Sequence, residues 1–373
     1  MNNTEKLMLE YQKMLHSAYH KKVLPLLLKF KVQQKKYLCL MWFWIIMTII
    51  ATATADFYFK TIARDITGLL LLVNILALMA ISGIISHHNS KFVKELKSHC
   101  LRPILQIFGN IQWKTDVLPN EILQQSELFS IFNRWIKDDG FYGEYKGVKF
   151  EISELALFQQ NGSGKYKTIV EVFDGVIIKF TSNKSTNGKT IITTKGDSKI
   201  KNSILASCFA SMVFLYLFVF IPAIITNPEL FKELIPKIIL LIIPIIWTIS
   251  LLYMSYKKKK ERKVLKQIHL EDPEFEKKFN AYSIDEIEGR YLITTAFMER
   301  FLNLKTAFGA KNAKCAFFDD CIIFAISTPK NLFEIGNLFT KIENSKQITT
   351  FFNEFASILL LIDYFKLNEK TGL

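Results

Sequence analysis

ILASCFASMVFLYLFVFIPAIIT (Ile204 to Thr226) runs 23 residues without a charge, and IILLIIPIIWTISLLYMSY (Ile238 to Tyr256) runs 19. About 20 apolar residues at ~1.5 Å rise cross a hydrocarbon core of ~30 Å, and buried helices of soluble domains are rarely so uniformly apolar. Ile204 to Tyr256 therefore reads as two membrane-spanning helices joined by a tight turn. Two earlier apolar blocks, Tyr37 to about Phe59 and Ile66 to about Ser86, read as a hairpin of the same kind. The predicted fold class is an α+β membrane protein: four transmembrane helices as two hairpins, plus one cytoplasmic α+β domain whose antiparallel sheet is built from two chain segments. By residue number, 1–36 form a basic amphipathic helix, 37–86 the first hairpin and 87–203 the first part of the domain. Residues 204–256 form the second hairpin and 257–373 the second part of the domain.

Charge decides orientation. The 373 residues carry 48 Lys plus Arg against 34 Asp plus Glu, a net charge of +14. Lysines crowd the outer flanks of the hairpins: Lys29, Lys31, Lys35 and Lys36 before the first span, Lys91, Lys94 and Lys97 after the second. Lys195, Lys199 and Lys201 precede the third, and Lys257 to Lys263 follow the fourth. The short links between spans are charge-poor or mixed. This is the positive-inside pattern, which places both termini and every long polar segment on the cytoplasmic side of a bacterial inner membrane and argues against nucleic acid as the partner. KKKKERK (Lys257, Lys258, Lys259, Lys260, Arg262 and Lys263 carry its positive charge) either fixes topology or recruits anionic lipid at ~1 kcal/mol per basic residue. The N-terminal stretch spaces Leu7, Tyr11, Met14, Leu15 and Ala18 three or four apart, a pattern shared by membrane-lying and partner-binding helices; lysines that continue up to the first span favour the former.

Within the spans two polar side chains stand out. Asp56 follows Ala51-Thr-Ala-Thr-Ala about one turn before Lys60, which suits a wet interfacial position, and Asn74 is expected to hydrogen-bond a neighbouring helix. Pro222 and Pro244 break backbone bonds but lack polar partners for a substrate. Ala206, Ser207, Ala210 and Ser211 make a small-residue stripe suited to close helix packing.

The soluble parts switch between two periods. Helix is predicted from residue 91 until Pro103 interrupts it, and again from Asn120 to Asp138 with Leu123, Leu128, Phe129, Phe132 and Trp135 on one side. FYGEYKGVKFEISELALF, KTIVEVFDGVIIKF and KTIITT alternate as antiparallel strands, with turn signals at Tyr145-Lys-Gly-Val and Phe173-Asp-Gly-Val. Asn161-Gly-Ser-Gly-Lys165 lacks phosphate-loop spacing and reads as a strand connection. After the basic run, helix is expected through Leu265 and Ile268, then a short extended piece over Glu271 to Ser283, then helix from Asp285 to Leu304. CAFFDDCIIFAIS is a hairpin turning at Asp319-Asp320, and Ile348 to Phe365 a last amphipathic helix.

Chemistry-bearing constellations are sparse. The five cysteines include no CxxC pair and read as free thiols. His16 and His20, one turn apart, have no accompanying ligands, so no metal or cofactor site is assigned. The carboxylate groupings are Asp138-Asp139, Asp319-Asp320 and Glu288 with Arg290. Adjacent strand residues point to opposite faces and hairpin tips are solvated, so no catalytic residue is assigned and Glu288 with Arg290 reads as an ion pair or helix-start feature.

EDPEFEKKFNAYSIDEIEGRYLITTAFMERFLNL (Glu271 to Leu304) resembles the signature of an uncharacterised bacterial membrane-protein family catalogued as a domain of unknown function, some members of which are encoded near LemA-type proteins. Supporting matches are Asp138-Asp139, Phe150-Glu-Ile-Ser-Glu154, Phe173-Asp-Gly175, Phe324-Ala-Ile326 and Phe333-Glu334, with Glu288, Arg290 and Tyr291 inside the signature. Gly289 and Thr295 depart from the alanine and proline the pattern leads one to expect, and Ile204 to Tyr256 is an insertion relative to it. The resemblance implies membrane attachment and a cytoplasmic domain, and no activity. The leading expectation is a membrane-anchored interaction or scaffold module that binds another membrane protein or itself. A channel or transporter component around Asp56 and Asn74 is the alternative, and binding or sensing of anionic lipid the second.

Overall fold

The computed structural model describes residues 3–62, 67–162, 167–184, 186–196, 265–307, 312–342 and 345–369. The expected hairpin from Ile204 to Tyr256 and the basic run Lys257 to Lys263 lie outside the described residues.

The chain opens with helix α1 (Asn3–Ala18), a π-helical turn (Tyr19–Val23) and the long helices α2 (Leu24–Ile62) and α3 (Thr67–Leu105). Both long helices are apolar enough to cross a membrane by length and composition. Each is divided along its length. Trp42, Ile46, Ile49, Leu72, Ile75, Leu78 and Met79 are exposed, whereas Leu27 and Phe30 of α2 and Phe92, Leu96, Cys100, Leu101 and Ile104 of α3 are buried in the domain core. Asn74 donates to both Asp56 carboxylate oxygens at 3.2 and 3.3 Å, joining α2 to α3 as expected of an asparagine between apolar helices.

Nine strands follow among the described residues: β1 (Ile111–Trp113), β2 (Arg134–Tyr145), β3 (Val148–Asn161), β4 (Thr168–Thr181), β5 (Thr190–Thr194), β6 (Lys266–Ile268), β7 (Phe279–Ser283), β8 (Asn312–Phe318) and β9 (Cys321–Ser327). They form one antiparallel sheet in the order β1-β2-β3-β4-β9-β8-β5-β7-β6. β5 lies between β7 and β8, so the segments before and after the expected insertion do share one sheet. Helices α4 (Asn120–Gln125), α5 (Pro273–Lys278), α6 (Glu286–Leu292), α7 (Thr295–Ala307) and α8 (Ser345–Tyr364) complete the fold.

Both sheet faces are covered, which explains why β9 is apolar at every position from Cys321 to Ile326. Ile322, Phe324 and Ile326 join the core beneath the helices, while Cys321, Ile323 and Ala325 pack with Leu118, Leu123, Leu128 and Phe132 on the other face. The turn at Lys146-Gly147 has positive φ at both positions (51° and 81°), as does Asp319-Asp320 (48° and 54°), the geometry that matches strand twist in tight hairpins.

Several expectations are corrected. Phe173-Asp-Gly-Val is no turn: Gly175, at φ 150°, pairs with Ser327 in mid-strand, where a Cβ would press on the Ile326 carbonyl. The helix expected from Asn120 to Asp138 stops at Gln125, because Glu127 adopts φ 54° and Asn133 then bonds the β3 backbone at Phe158 and Gln160. Pro103 lies inside α3, which ends two residues later at Leu105. Leu265 to Ile268 enters a strand instead of a helix, since β7 offers it a free edge. Pro273–Lys278 is helical because Asp272 caps it, accepting from the Glu274 and Phe275 amides. The long helix from Asp285 is two helices, broken at Ile293, with the Thr294 hydroxyl accepting from Phe297. The N-terminal helix does not lie free on a surface. Leu15, Tyr19 and Val23 are buried in the domain core, and Tyr11 bonds Tyr145 at 2.6 Å.

Candidate functional site

The β2–β3 ladder pairs Lys137 with Leu155 and then Gly140 with Ser153. Two residues, Asp138 and Asp139, thus oppose the single residue Glu154, a β-bulge of the kind that re-aims a side chain. Gly140 permits it, because a Cβ there would strike the Lys114 carbonyl and the Val117 side chain. Carboxylate oxygens of Asp138, Asp139 and Glu154 come within 4.8 Å of one another. The expectation that adjacent strand residues cannot cooperate, sound for a regular strand, fails at the bulge.

Asp139 is 1% exposed and Glu154 7%, while Asp138 faces solvent. Lys97 reaches in from α3: its Nζ lies 2.6 Å from Asp139 Oδ2 and 3.0 Å from Glu334 Oε1. Trp113 Nε1 donates to Asp139 Oδ1 at 2.8 Å. Burial opposes the charge on Lys97, but Asp139 and Glu334 together outweigh it and hold the ammonium above its ordinary range. Burial lifts Asp139 to about 6 against the pull of Lys97, leaving the pair ionised at neutral pH. Glu154 differs. Its Oε1 accepts from the Leu332 amide at 2.7 Å, and its Oε2 is buried with no partner among the described residues. Burial first, opposed by that backbone bond, and then the Asp139 and Asp138 charges push its carboxyl up to about 8. The cluster is therefore a buried ion pair beside a carboxyl that keeps its proton at neutral pH. Asp138, Asp139 and Glu154 are also the described residues placed to hold an oxygen-liganded cation, with Lys97 already supplying one positive charge.

The cluster opens on a cleft of about 570 Å³ whose lining includes Asn89, Lys94, Asp138, Asn331, Glu334 and Gln347. The cleft thus lies against α3 where its exposed apolar half gives way to its buried half. The loop after β9 closes one wall: Leu338 N donates to Asn89 Oδ1 at 3.0 Å, and Gln34 of α2 donates to the carbonyls of Asn337, Leu338 and Thr340.

Of the residues singled out from sequence, Asp138 and Asp139 lie in this cluster. Glu288, Arg290 and Tyr291 lie elsewhere, near β5 and β7. Of the two readings of Glu288 with Arg290, the ion pair is not made, since Arg290 bonds Glu286 one turn earlier at 3.0 Å and Glu288 accepts from the Asn187 amide at 2.6 Å, while Glu288 does stand in the first turn of α6. Lys184 donates to the Tyr291 carbonyl and sits 4.3 Å from its ring centroid, which makes this corner a brace between loop and helix. Sequence reasoning missed Lys97, read only as a flanking lysine, together with Trp113, Glu154 and Glu334. Glu154 and Glu334 stood in stretches noted for the family resemblance, and that was the available signal.

A family model described as "Protein of unknown function (DUF3137)" matches residues 171–367. The match includes Glu334 and the Leu332 amide of the cluster, and stops short of Lys97, Asp138, Asp139 and Glu154. No curated protein and no solved structure matches the chain.

Proposed function

The chain belongs to this family of proteins of unknown function, and from that premise, which carries no activity with it, we propose that it is a membrane-anchored interaction module. The observation that carries the reading is α3, one uninterrupted helix whose first half exposes apolar side chains and whose second half is the middle of the domain core. An anchor built this way holds its domain at a fixed height and angle, unlike one joined by a flexible linker. The lysine flanks support an orientation in which the domain and both termini face the cytoplasm at an inner membrane. The polar cleft beside Asn89 and Asp138 is the docking place for a polar segment of another membrane protein or of a second copy. The role is binding instead of catalysis, since Lys97, Asp139 and Trp113 are committed to one another.

Gentle extraction of the full-length protein from its native membrane, followed by mass measurement of the intact complex, tests this. A stoichiometric second protein, lost when Asp138→Lys closes the cleft, supports the module. A monomer whose recovery from the membrane needs no detergent sinks it. The pore reading is weaker because Asp56 and Asn74 bond one another between adjacent helices. Replacing both should leave an anchor functional, whereas a pore would lose flux.

A further inference from the structure

Strand β4 pairs with β9 only from Gly175 onward, where Gly175 faces Ser327, yet β4 begins at Thr168 paired with Asn161 of β3. The seven residues from Thr168 to Gly175, at ~3.3 Å each, carry the β3–β4 ribbon about 23 Å past the end of β9. β2 flanks its base through Arg134, which pairs with Phe158.

Three contacts fix the direction of this projection. Tyr145, at the far end of β2, bonds Tyr11, whose ring packs 5.0 Å from that of Phe108 just beyond α3, and Asp139 meets Lys97. Six strand residues (~20 Å) therefore run beside the eleven from Lys97 to Phe108, eight of them in α3 (~12 Å) and three in the turn after it, so β2 climbs along α3 toward its apolar half. Continuing to Arg134 brings the strand level with the last residues before Asn89. The loop after β9 agrees, since it bonds Asn89 and Gln34. So does β5: its final residue, Thr194, bonds the Ala313 carbonyl at this same end of the sheet, and the apolar block at Ile204 follows it in sequence.

Exposed apolar side chains line this projection. Trp135 and Ile136, opposite Leu157 and Ala156 at its base, are 44% and 52% exposed, and Ile169 and Val170, opposite Gln160 and Gln159 toward its tip, are 45% and 46% exposed. Successive strand residues face opposite sides, so the ribbon shows apolar groups on both faces. A protein partner covers one face, whereas a lipid layer surrounds both. Tryptophan favours the interfacial zone, and Arg134 next to it and Lys167 at the tip are exposed. Beyond its pairing with β9, β4 has an edge without a strand partner among the described residues, whose backbone groups hydrocarbon would leave unsatisfied, and this limits the depth to the headgroup layer.

We propose that this ribbon tip inserts into the headgroup layer of the membrane crossed by α2 and α3, as a third foot of the domain. The inference rests on the anchor reading, and the experiment separates the two. Full-length protein carrying Cys39→Ser and Cys208→Ser is placed in nanodiscs of mixed zwitterionic and anionic lipid. It is labelled with an environment-sensitive fluorophore at Val170→Cys, Ser86→Cys or Lys149→Cys, and quenched by nitroxide lipids. The expected result is quenching at Val170 by headgroup nitroxide at least twofold stronger than by a deep-chain nitroxide, with none at Lys149. Adding Trp135→Ser and Ile136→Ser should cut the Val170 quenching severalfold. Quenching at Ser86 with none at Val170 overturns the ribbon reading and leaves the anchor standing. So does cross-linking of Val170→Cys to a second copy without lipid quenching, which would mean strand pairing between chains. No quenching at Ser86 overturns the anchor itself.

Discussion

Lys97 joins two carboxylates, and at the buried Asp139 water cannot share the charge, so its removal is felt as an uncompensated buried Asp139. Lys97→Met should cost about 3 kcal/mol, and Lys97→Met with Asp139→Asn should recover most of it, because breaking a buried pair is worse than replacing it. Thermal melting of the detergent-solubilised protein measures both; equal loss in single and double variants would show that the pair is not the source. Glu154 gives the pH dependence. Its carboxyl stands at about 8 in the folded chain against an ordinary 4.5, so the folded state holds the proton more tightly than the unfolded one. That contribution is full below pH 4.5 and is lost as the pH rises through 8. Glu154→Gln should therefore match the parent near pH 5 and melt higher at pH 9 by on the order of 10 °C, keeping only the smaller fall that Asp139 causes below neutrality. An unchanged pH profile would mean that Glu154 is ionised in the fold. Neither behaviour was legible from residue types alone. A bulge at Asp138-Asp139 is a property of the β2–β3 register, and Lys97 looked like any other lysine after an apolar span.

At the scale of elements, the long strands were readable, whereas β1, β6, the start of β2 and several helix boundaries were not. Alternation identifies β3 to β5 and β2 from Phe141 onward, and the Lys-Gly and Asp-Asp turns have the chemistry their φ values demand. The stretch from Asn120 to Trp135 has helical spacing, but Leu128 and Phe132 are satisfied by packing on the sheet from an irregular segment, so spacing alone misassigned it. Asp-Gly at Asp174-Gly175 shows the opposite error, a turn dipeptide used for close approach of two strands. Gly175→Val tests that use. At φ 150° with Ile326 and Ser327 backbone against the missing Cβ, it should cost about 2–4 kcal/mol and disturb the β4–β9 pairing. Amide exchange at Ile177 and Ala325 reads this directly, and unchanged protection there would show that the strands can part without cost.

Among the described residues, no seam separates the long apolar helices from the domain. The sequence suggested a helix leading to the membrane, then a hairpin, then a separate domain, because charge and hydropathy change near residues 36 and 86. Packing crosses those boundaries: Val23, Leu27 and Phe30 belong to the same cluster as Phe92, Leu96, Phe351 and Phe355. Gln12 of α1 bonds Asn353 of α8, and the Phe108 and Phe352 rings stack at 4.8 Å. A charge placed at the centre of this layer should loosen it as a unit. Val23→Asp buries an unpaired carboxylate at a fully buried position, a cost of about 3–5 kcal/mol. Hydrogen exchange should then accelerate together over Phe92 to Ile104 and over Phe351 to Leu361, by a hundredfold or more. If only the first 23 residues lose protection, α1 is an accessory laid on a finished domain. If all three segments open together, movement of the long helices is transmitted to the sheet, and with it to the cleft between Asn89 and Asp138.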